Sequence, residues 1–163
     1  MYLQGQIIIL DDVLTVTECD QLINYYKSTG HTFEWGGAYP LSLTKRELHS
    51  SEEMQFAFSK AVKIQQVINQ FIDQKVSIDW CEITKWPPRS SKGKHTDFAS
   101  EITIFTSVTY LNDDYSGGET FFTDGTKVAP KTGRTIYFDG QYYEHGVNEV
   151  QNKDRYTLPI WYK

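Results

Sequence analysis

The order of apolar and polar residues divides the chain into a helical first half and a strand-rich second half. Four apolar residues recur at the i, i+3, i+4 and i+7 spacing of one helix face: Cys19, Leu22, Ile23 and Tyr26. A capping-box sequence at residues 17–20 precedes most of them. We therefore predict a first helix that ends near Gly30 and follows a strand over residues 5–13.

A second and longer apolar stripe keeps the same helical period. Its members are Met54, Ala57, Phe58, Ala61, Ile64, Ile68, Phe71 and Ile72. Ser50 and Ser51, followed by Glu52 and Glu53, supply the hydroxyl and acidic side chains that favour a helix start. The pattern predicts that this is the longest helix of the protein.

After Gln74 the apolar period changes from 3.6 to 2. Val76, Ile78 and Trp80 alternate with Ser77, Asp79 and Cys81, which predicts a strand with one buried face. Turn sequences then separate further predicted strands at residues 101–111, 118–123, 126–129, 134–139, 143–150 and 155–162. Many short strands at this spacing indicate an antiparallel sandwich or barrel, so the predicted class is α+β and mainly β. Residues 87–94 lack apolar periodicity and are predicted to form a mobile loop.

Composition and charge narrow the class of protein. A length of 163 residues suits a single domain, and 39% hydrophobic residues are enough for a core. A net charge of −5 argues against nucleic acid as a general partner. No signal peptide or membrane span is apparent, and Cys19 and Cys81 are expected to be reduced core residues. We therefore expect a cytoplasmic protein.

Candidate metal ligands lie in the second half. His95 and Asp97 are two positions apart, so an extended chain directs both side chains to the same side. His145 follows Asp97 by 48 positions, in another extended segment. Two histidines and one carboxylate form the facial triad of non-haem Fe(II) oxygenases, although zinc also accepts these ligands. A surface hydrogen-bonded pair is the alternative interpretation of His95 and Asp97.

A carboxylate-binding arginine would separate an oxygenase from a zinc site. A 2-oxo acid can chelate Fe(II) through its keto and carboxylate oxygens, and its distal carboxylate then needs a buried cation. Arg155 shares one face of the last predicted strand with Thr157, Pro159 and Trp161. Tyr110, on the face of Ile104 and Val108, has a hydroxyl that could bind the same carboxylate.

The second half resembles the Fe(II)- and 2-oxoglutarate-dependent dioxygenases, within them the prolyl 4-hydroxylase-like branch. Five segments carry the resemblance: His95-Thr96-Asp97, Val108-Thr109-Tyr110-Leu111-Asn112, Ser116-Gly117-Gly118-Glu119-Thr120, Tyr143-Glu144-His145-Gly146-Val147, and Arg155-Tyr156-Thr157-Leu158-Pro159-Ile160-Trp161-Tyr162. The resemblance implies one dioxygenase domain over residues 1–163. Within it, residues 1–75 are a mainly helical support, and residues 76–163 form a double-stranded β-helix, or jelly roll.

The same resemblance implies the cofactors and the site residues. His95, Asp97 and His145 would be the catalytic iron ligands. Arg155 and Tyr110 would hold the distal carboxylate of 2-oxoglutarate, and Thr120, Val147 and Trp161 would line the co-substrate pocket. Fe(II), 2-oxoglutarate and O2 are the implied cofactors and co-substrates, with ascorbate as a further candidate.

Some features are specific to this chain. Collagen-modifying relatives have lysine at the position of Arg155, whereas the oxygen-sensing prolyl hydroxylases have arginine. Many relatives have tyrosine nine positions before the first iron ligand, where this chain has Trp86. An indole is a donor only, so a hydroxyl-dependent role is not expected there. The chain is also similar to compact single-domain bacterial and phage members.

The resemblance implies hydroxylation coupled to the release of succinate and CO2. The predicted substrate is a prolyl residue of a peptide or protein, and the predicted enzyme is a peptidyl-prolyl 4-hydroxylase. A free amino acid, another small molecule or a nucleobase is the alternative substrate, and a non-catalytic jelly-roll metal-binding module is the alternative to an enzyme. Residues 31–43, 87–94 and 113–116 are the expected substrate-positioning segments. The sequence assigns no individual substrate contact and no oligomeric state.

Overall fold

Two helices and twelve strands are present in the part of the computed structural model that is described, which comprises residues 6–44, 51–97 and 101–163. The helices are α1 (Val16–Thr29) and α2 (Glu52–Ile68). The strands are β1 (Ile8–Leu10), β2 (Tyr39–Ser42), β3 (Ile78–Trp86), β4 (Lys92–His95), β5 (Phe105–Tyr110), β6 (Ser116–Gly117), β7 (Thr120–Phe122), β8 (Lys127–Val128), β9 (Thr135–Asp139), β10 (His145–Val147), β11 (Val150–Gln151) and β12 (Arg155–Tyr162).

The N-cap of helix α1 lies two residues before the predicted cap. The Thr15 side chain accepts a hydrogen bond of 3.1 Å from the Glu18 amide, so residues 17–20 are already helical and the prediction of a cap at Thr17 was wrong. The helix ends as predicted at Gly30, which has a φ of 84° and donates its amide to the Tyr26 carbonyl. The four predicted apolar residues are buried.

Helix α2 is the longer of the two described helices, as predicted, and Ser51 caps it through the Met54 amide. Ser50 lies outside the described residues. The helix ends at Ile68, although the predicted stripe continues past it. The Asn69 side chain binds both the amide and the carbonyl of Val76, and this turns the chain towards β3. The helix therefore ends before the last two members of the predicted stripe.

The strands form two antiparallel sheets and a short ribbon. The larger sheet has the order β1-β9-β5-β12-β3-β2, the smaller has the order β4-β10-β7-β8, and β11 pairs with β6. The strands are hydrogen-bonded mainly to neighbours distant in sequence, and both helices pack on the larger sheet. This arrangement confirms the predicted mainly β jelly roll with helical support.

The larger sheet is covered on both faces. In β12, Tyr156, Leu158, Ile160 and Tyr162 pack in the core with α1 and α2. The alternate residues Arg155, Thr157, Pro159 and Trp161 face a cavity, as strand parity predicts. The sheet thus separates the helical core from this cavity.

Strand β3 departs from the predicted alternation. The pairing register between β3 and β12 shifts between Trp161 and Tyr162, so two residues of β3 occupy the space of one. Ile78 consequently packs on the helical core, whereas Trp80 lines a cavity on the other face. Cys81 points into the core and is fully buried, so the prediction of one buried face was wrong. Cys81 and Cys19 are both free and buried, as expected.

Other differences concern short strands. The sequence pattern did not predict β2, β4 or β6, and the predicted strand at residues 143–150 is divided into β10 and β11. The predicted first strand shortens to Ile8–Leu10, with residue 5 outside the described residues, and the strand predicted from residue 101 begins at Phe105.

The segment at residues 87–94 was predicted to be a mobile loop. Its end belongs to β4, and Arg89 and Ser90 exchange backbone hydrogen bonds with Val150 at 2.7 and 2.9 Å. The segment is therefore held by pairing rather than left free. Neither described helix has the length and apolar character needed to cross a membrane.

Candidate metal and co-substrate site

Three potential metal ligands meet at one end of the smaller sheet. His95 ends β4, His145 begins β10, and the two residues are cross-strand partners. Asp97 lies two residues after β4, and its Oδ1 is 3.5 Å from Nε2 of each histidine. One ligand atom of each residue lies within 4.8 Å of the other two. Antiparallel pairing thus brings together residues that are far apart in sequence.

Backbone carbonyls orient both imidazoles. Nδ1 of His95 is 2.8 Å from the Gly93 carbonyl, and Nδ1 of His145 is 3.0 Å from the Tyr143 carbonyl. A carbonyl only accepts hydrogen bonds, so Nδ1 of each ring carries a proton. Nε2 of each ring lies on the side of Asp97 and is the nitrogen that would ligate a metal after losing any proton that it shares with Asp97.

Asp97 is held in its ionised form. The Thr106 hydroxyl donates to Oδ2 at 2.8 Å, and the Asp97 amide donates to the Gly140 carbonyl at 2.8 Å. Burial alone would raise the pKa of Asp97, but hydrogen bonds from His145 and His95 lower it well below its usual value. An ionised carboxylate is the form that binds a cation.

The donor set fits a divalent metal ion. Two neutral imidazoles and one carboxylate on adjacent strands can occupy one side of a coordination sphere and leave positions for a second ligand. This is the only group of three such side chains in the described part of the chain that satisfies the same distance limit. The chemistry of the donors suits Fe(II) and also Zn(II).

Arg155 lies in the wall of the same cavity, which has a volume of about 80 Å³. The side chain is 1% exposed, its Nε donates to the Gly118 carbonyl at 3.0 Å, and its Cζ lies 5.6 Å from the Trp86 ring centroid. Of the residues described, no aspartate or glutamate forms an ion pair with it. A buried guanidinium without a countercharge is costly, so an anionic ligand would be favoured here.

The other predicted pocket residues divide into two groups. Thr120, Val147 and Trp161 line the cavity with the potential metal ligands. Tyr110 lies beside the cavity, and its hydroxyl is 2.7 Å from the Thr120 hydroxyl and 3.1 Å from the Val128 carbonyl. Its ring centroid is 5.3 Å from the Arg155 Cζ. The structure thus places the Tyr110 hydroxyl against protein groups, and its carboxylate-binding role stays a prediction.

Sequence reasoning missed a polar face of β3. Glu82 and Thr84 line the cavity, on the same side of the strand as Trp86. The Glu82 carboxylate accepts hydrogen bonds from the Trp80 indole at 3.1 Å and from the Thr84 hydroxyl at 3.0 Å. Burial raises the pKa of Glu82 to about 7. Strand parity counted back from Trp86 was the available signal.

Solved structures share this fold over nearly the whole chain. An oxidoreductase of the 2OG-Fe(II) oxygenase family from Burkholderia pseudomallei has a TM-score of 0.80, with 18% identity, 96% of this chain covered and 85% of that chain covered. A viral collagen prolyl hydroxylase from Paramecium Bursaria Chlorella virus-1, in a 2OG complex, has a TM-score of 0.72 with 21% identity, covering 97% and 96%.

A third solved structure is a prolyl hydroxylase from Trichoplax adhaerens in complex with a hypoxia inducible factor peptide fragment. Its TM-score is 0.76 with 18% identity, and the match covers 96% of this chain and 82% of that chain. The chain therefore has the fold of the prolyl 4-hydroxylase-like 2-oxoglutarate and Fe(II) oxygenases, as the sequence resemblance predicts.

Curated relatives match a shorter part of the chain. Human prolyl 3-hydroxylase 3 is 35% identical over 65 residues, and rat prolyl 3-hydroxylase 2 is 34% identical over 65 residues. Each match covers 36% of this chain and 9% of the relative, so the similarity concerns a small part of much longer proteins. No family model matches the chain.

Proposed function

We propose that this protein is an Fe(II)- and 2-oxoglutarate-dependent dioxygenase that hydroxylates its substrate and releases succinate and CO2. The observation that carries the proposal is the shared cavity. His95, Asp97 and His145 offer a metal-binding triad there, and the buried Arg155 offers a cation without a protein countercharge among the residues described. A metal alone would not explain Arg155, whereas a dicarboxylate that also chelates the metal would.

Each residue of the cavity has a specific task in this proposal. His95, Asp97 and His145 hold Fe(II), and the carbonyls bound to the histidine Nδ1 atoms keep both rings in the ligating tautomer. Arg155 binds the distal carboxylate of 2-oxoglutarate. When bound, iron and 2-oxoglutarate together supply the oxidising chemistry. Val147 and Trp161 line the cavity and restrict water.

The wider proposal includes the organisation of the chain. Residues 1–163 act as one dioxygenase domain, with residues 1–75 as support and residues 76–163 as the jelly roll that holds the site. O2 is the second co-substrate, and ascorbate would keep the iron reduced. The free, buried Cys19 and Cys81 are compatible with a reducing, cytoplasmic location.

The first candidate substrate is a prolyl residue of a peptide or protein, hydroxylated at carbon 4. Its support is that similar solved structures are a viral collagen prolyl hydroxylase and a prolyl hydroxylase bound to a peptide. A free amino acid is the second candidate. The observation that favours it is the buried carboxylate of Glu82 in the cavity, which a neutral peptidyl proline would leave without a countercharge.

Two measurements test the proposed reaction. Anaerobic Fe(II) titration with 2-oxoglutarate should give a charge-transfer absorption band in the native protein and none in His145→Ala. Aerobic incubation with proline-containing peptides should then release succinate in a 1:1 ratio to a product 16 mass units heavier. Absence of the band would overturn the dioxygenase proposal. A band and succinate release without any peptide product would overturn only the prolyl substrate.

A further inference from the structure

Glu82 is a buried acid in the candidate active-site cavity that the metal and 2-oxoglutarate do not use. Its side chain belongs to β3, the residue is 6% exposed, and it lines the cavity with His95 and Asp97. The two donors that reach its carboxylate, Trp80 and Thr84, are neutral. In the described part of the chain no lysine, arginine or histidine forms an ion pair with it.

The formal charges of the loaded site leave Glu82 uncompensated. Fe(II) and the two carboxylates of 2-oxoglutarate cancel each other, and Asp97 is cancelled by Arg155. Histidines that ligate a metal are neutral. With Lys92 set aside, which also lines the cavity and is considered below, one negative charge remains on the side chain of Glu82. A buried, unpaired carboxylate is unfavourable, and it is relieved either by retaining a proton or by pairing with a cation that a ligand supplies.

The walls beside Glu82 suit a cation as well. Phe33, Trp35, Trp80 and Trp161 line a wider cavity of about 490 Å³ that also contains Glu82. Aromatic rings attract ammonium groups through their electron-rich faces. The chain already shows this attraction, because the Lys92 ammonium lies 3.7 Å from the Trp35 ring centroid.

Lys92 is the cation of the protein itself that could compete with a ligand for Glu82. It lines the same cavity, but its ammonium is placed on Trp35 and forms no ion pair with Glu82. Lys92 belongs to β4, and its ammonium lies beside Gly36. A cationic ligand would therefore pair with Glu82 without breaking an existing ion pair.

We propose that the substrate of this site carries an alkylammonium group that pairs with Glu82 between the indole rings of Trp80 and Trp161. This inference rests on the proposed dioxygenase function and narrows its substrate class. The ammonium group has two sources, which are the amine of a free amino acid or imino acid and the side chain of a peptidyl lysine. A neutral peptidyl proline would be a poorer ligand.

Matched probe pairs test the charge directly. The protein is loaded anaerobically with Fe(II) and 2-oxoglutarate, so that binding is measured without turnover. The first pair is L-prolinamide and N-acetyl-L-prolinamide, and the second is a lysine-containing tripeptide and the same peptide with an acetylated lysine side chain. Isothermal titration calorimetry gives the Kd of each probe, and aerobic mass spectrometry of the bound probes identifies the oxygenated product.

We expect the cationic member of at least one pair to bind tenfold or more tightly than its acetylated partner. Glu82→Gln should remove this preference, because the amide keeps the size of the side chain and removes its charge. Glu53→Gln, on the exposed surface of α2, is the matched control and should retain the preference. Lys92→Met should also retain it, and a stronger preference there would agree with removal of a competing cation.

Three results would overturn the inference: equal or tighter binding of the acetylated probes, no binding of any probe, or an unchanged preference in Glu82→Gln. The charge-transfer band of bound 2-oxoglutarate distinguishes failure of the alkylammonium inference from failure of the proposed dioxygenase function. A band in both the native protein and Glu82→Gln shows that the loaded site is intact, so that a missing charge preference counts against the alkylammonium substrate alone.

Discussion

Replacing Arg155 should weaken binding of 2-oxoglutarate and leave the metal ligands in place. Arg155 is 1% exposed, and the described residues offer its guanidinium no carboxylate partner. Arg155→Gln should raise the KM for 2-oxoglutarate by roughly 30-fold or more, because truncating one partner of a buried charge pair costs about 2–5 kcal/mol. Succinate release measured against 2-oxoglutarate concentration checks this expectation.

The matched control for Arg155 is an arginine outside the cavity. Arg134 pairs with Asp11 at the surface, with Nε 2.7 Å from Oδ1. Arg134→Gln should leave the KM for 2-oxoglutarate within about twofold of the native value, since an exposed ion pair contributes little. An unchanged KM in Arg155→Gln would remove that residue from the co-substrate site.

Glu82 makes a second residue-scale prediction, on the pH dependence of stability. Burial raises its pKa from 4.5 to about 7 in the folded protein. Between these values the folded chain retains a proton that the unfolded chain has released, so the stability of the native protein falls as the pH rises. Above pH 7 the full cost applies, which is about 3 kcal/mol for this shift.

Glu82→Gln should therefore be more stable than the native protein at pH 8 and nearly equal to it at pH 4.5. The measurement is urea unfolding of both metal-free proteins at the two pH values, where the shared contributions of His95 and Asp97 cancel. A stability difference that does not change with pH would show that Glu82 is not a desolvated acid in the folded protein.

At the scale of elements, strand parity was predictable and chain register was not. The alternation of β12 correctly separated Arg155 and Trp161 from the core residues. The strand is central in the larger sheet and its two faces meet different surroundings, so its residues alternate regularly between them. The phase of β3 was not predictable, since the register shift opposite Trp161 depends on how two distant strands meet. Glu82 lies beyond this shift, and parity counted back from Trp86 was enough to place it on the cavity face.

Strand β4 shows a second limit of the sequence. Lys92, Gly93 and Lys94 have no apolar period, and they become extended only through pairing with β10. That pairing also sets His95 opposite His145, so the local conformation and the candidate metal site arise from the same tertiary contact. The three candidate ligands could be proposed from their spacing, but the strand pairing that brings them together could not be predicted.

The turn between β6 and β7 supports Arg155 through Gly118. A Cβ at Gly118 would lie 2.7 Å from the Tyr115 ring and 3.0 Å from the Arg155 Cδ. Gly118→Ala should displace the guanidinium and raise the KM for 2-oxoglutarate about tenfold or more, because small displacements of binding groups are costly. Kinetics with varied 2-oxoglutarate concentration measures this effect.

Gly125 is the matched control for this turn. Its φ of 93° resembles the 69° of Gly118, but a Cβ there would meet no atom within 4 Å. Gly125→Ala should therefore cost stability through backbone strain and leave the KM unchanged. Equal KM values in the two variants would show that the turn does not position Arg155.

At the scale of the whole molecule, the candidate site joins the two sheets. His95 and His145 belong to the smaller sheet, and Arg155 belongs to the larger one. A metal ion bound by the triad would contact the smaller sheet and Asp97, which follows β4, but no strand of the larger sheet. A 2-oxoglutarate molecule that chelates this metal and reaches Arg155 would contact both sheets. Its binding should therefore depend on the metal and should stabilise the folded protein by linking the two sheets.

This dependence predicts synergy in thermal unfolding. Under anaerobic conditions, Fe(II) with 2-oxoglutarate at about 100 times its Kd should raise the Tm by roughly 5–10 °C more than Fe(II) alone, as expected for a ligand that binds only the folded state. Without metal, 2-oxoglutarate should change the Tm little. Scanning calorimetry of the native protein and Arg155→Gln provides the comparison, because the variant keeps the triad and loses the contact with the larger sheet. Equal and independent shifts from metal and 2-oxoglutarate would contradict a ligand that bridges the sheets, whereas a synergistic shift lost in Arg155→Gln requires one molecule to bind both.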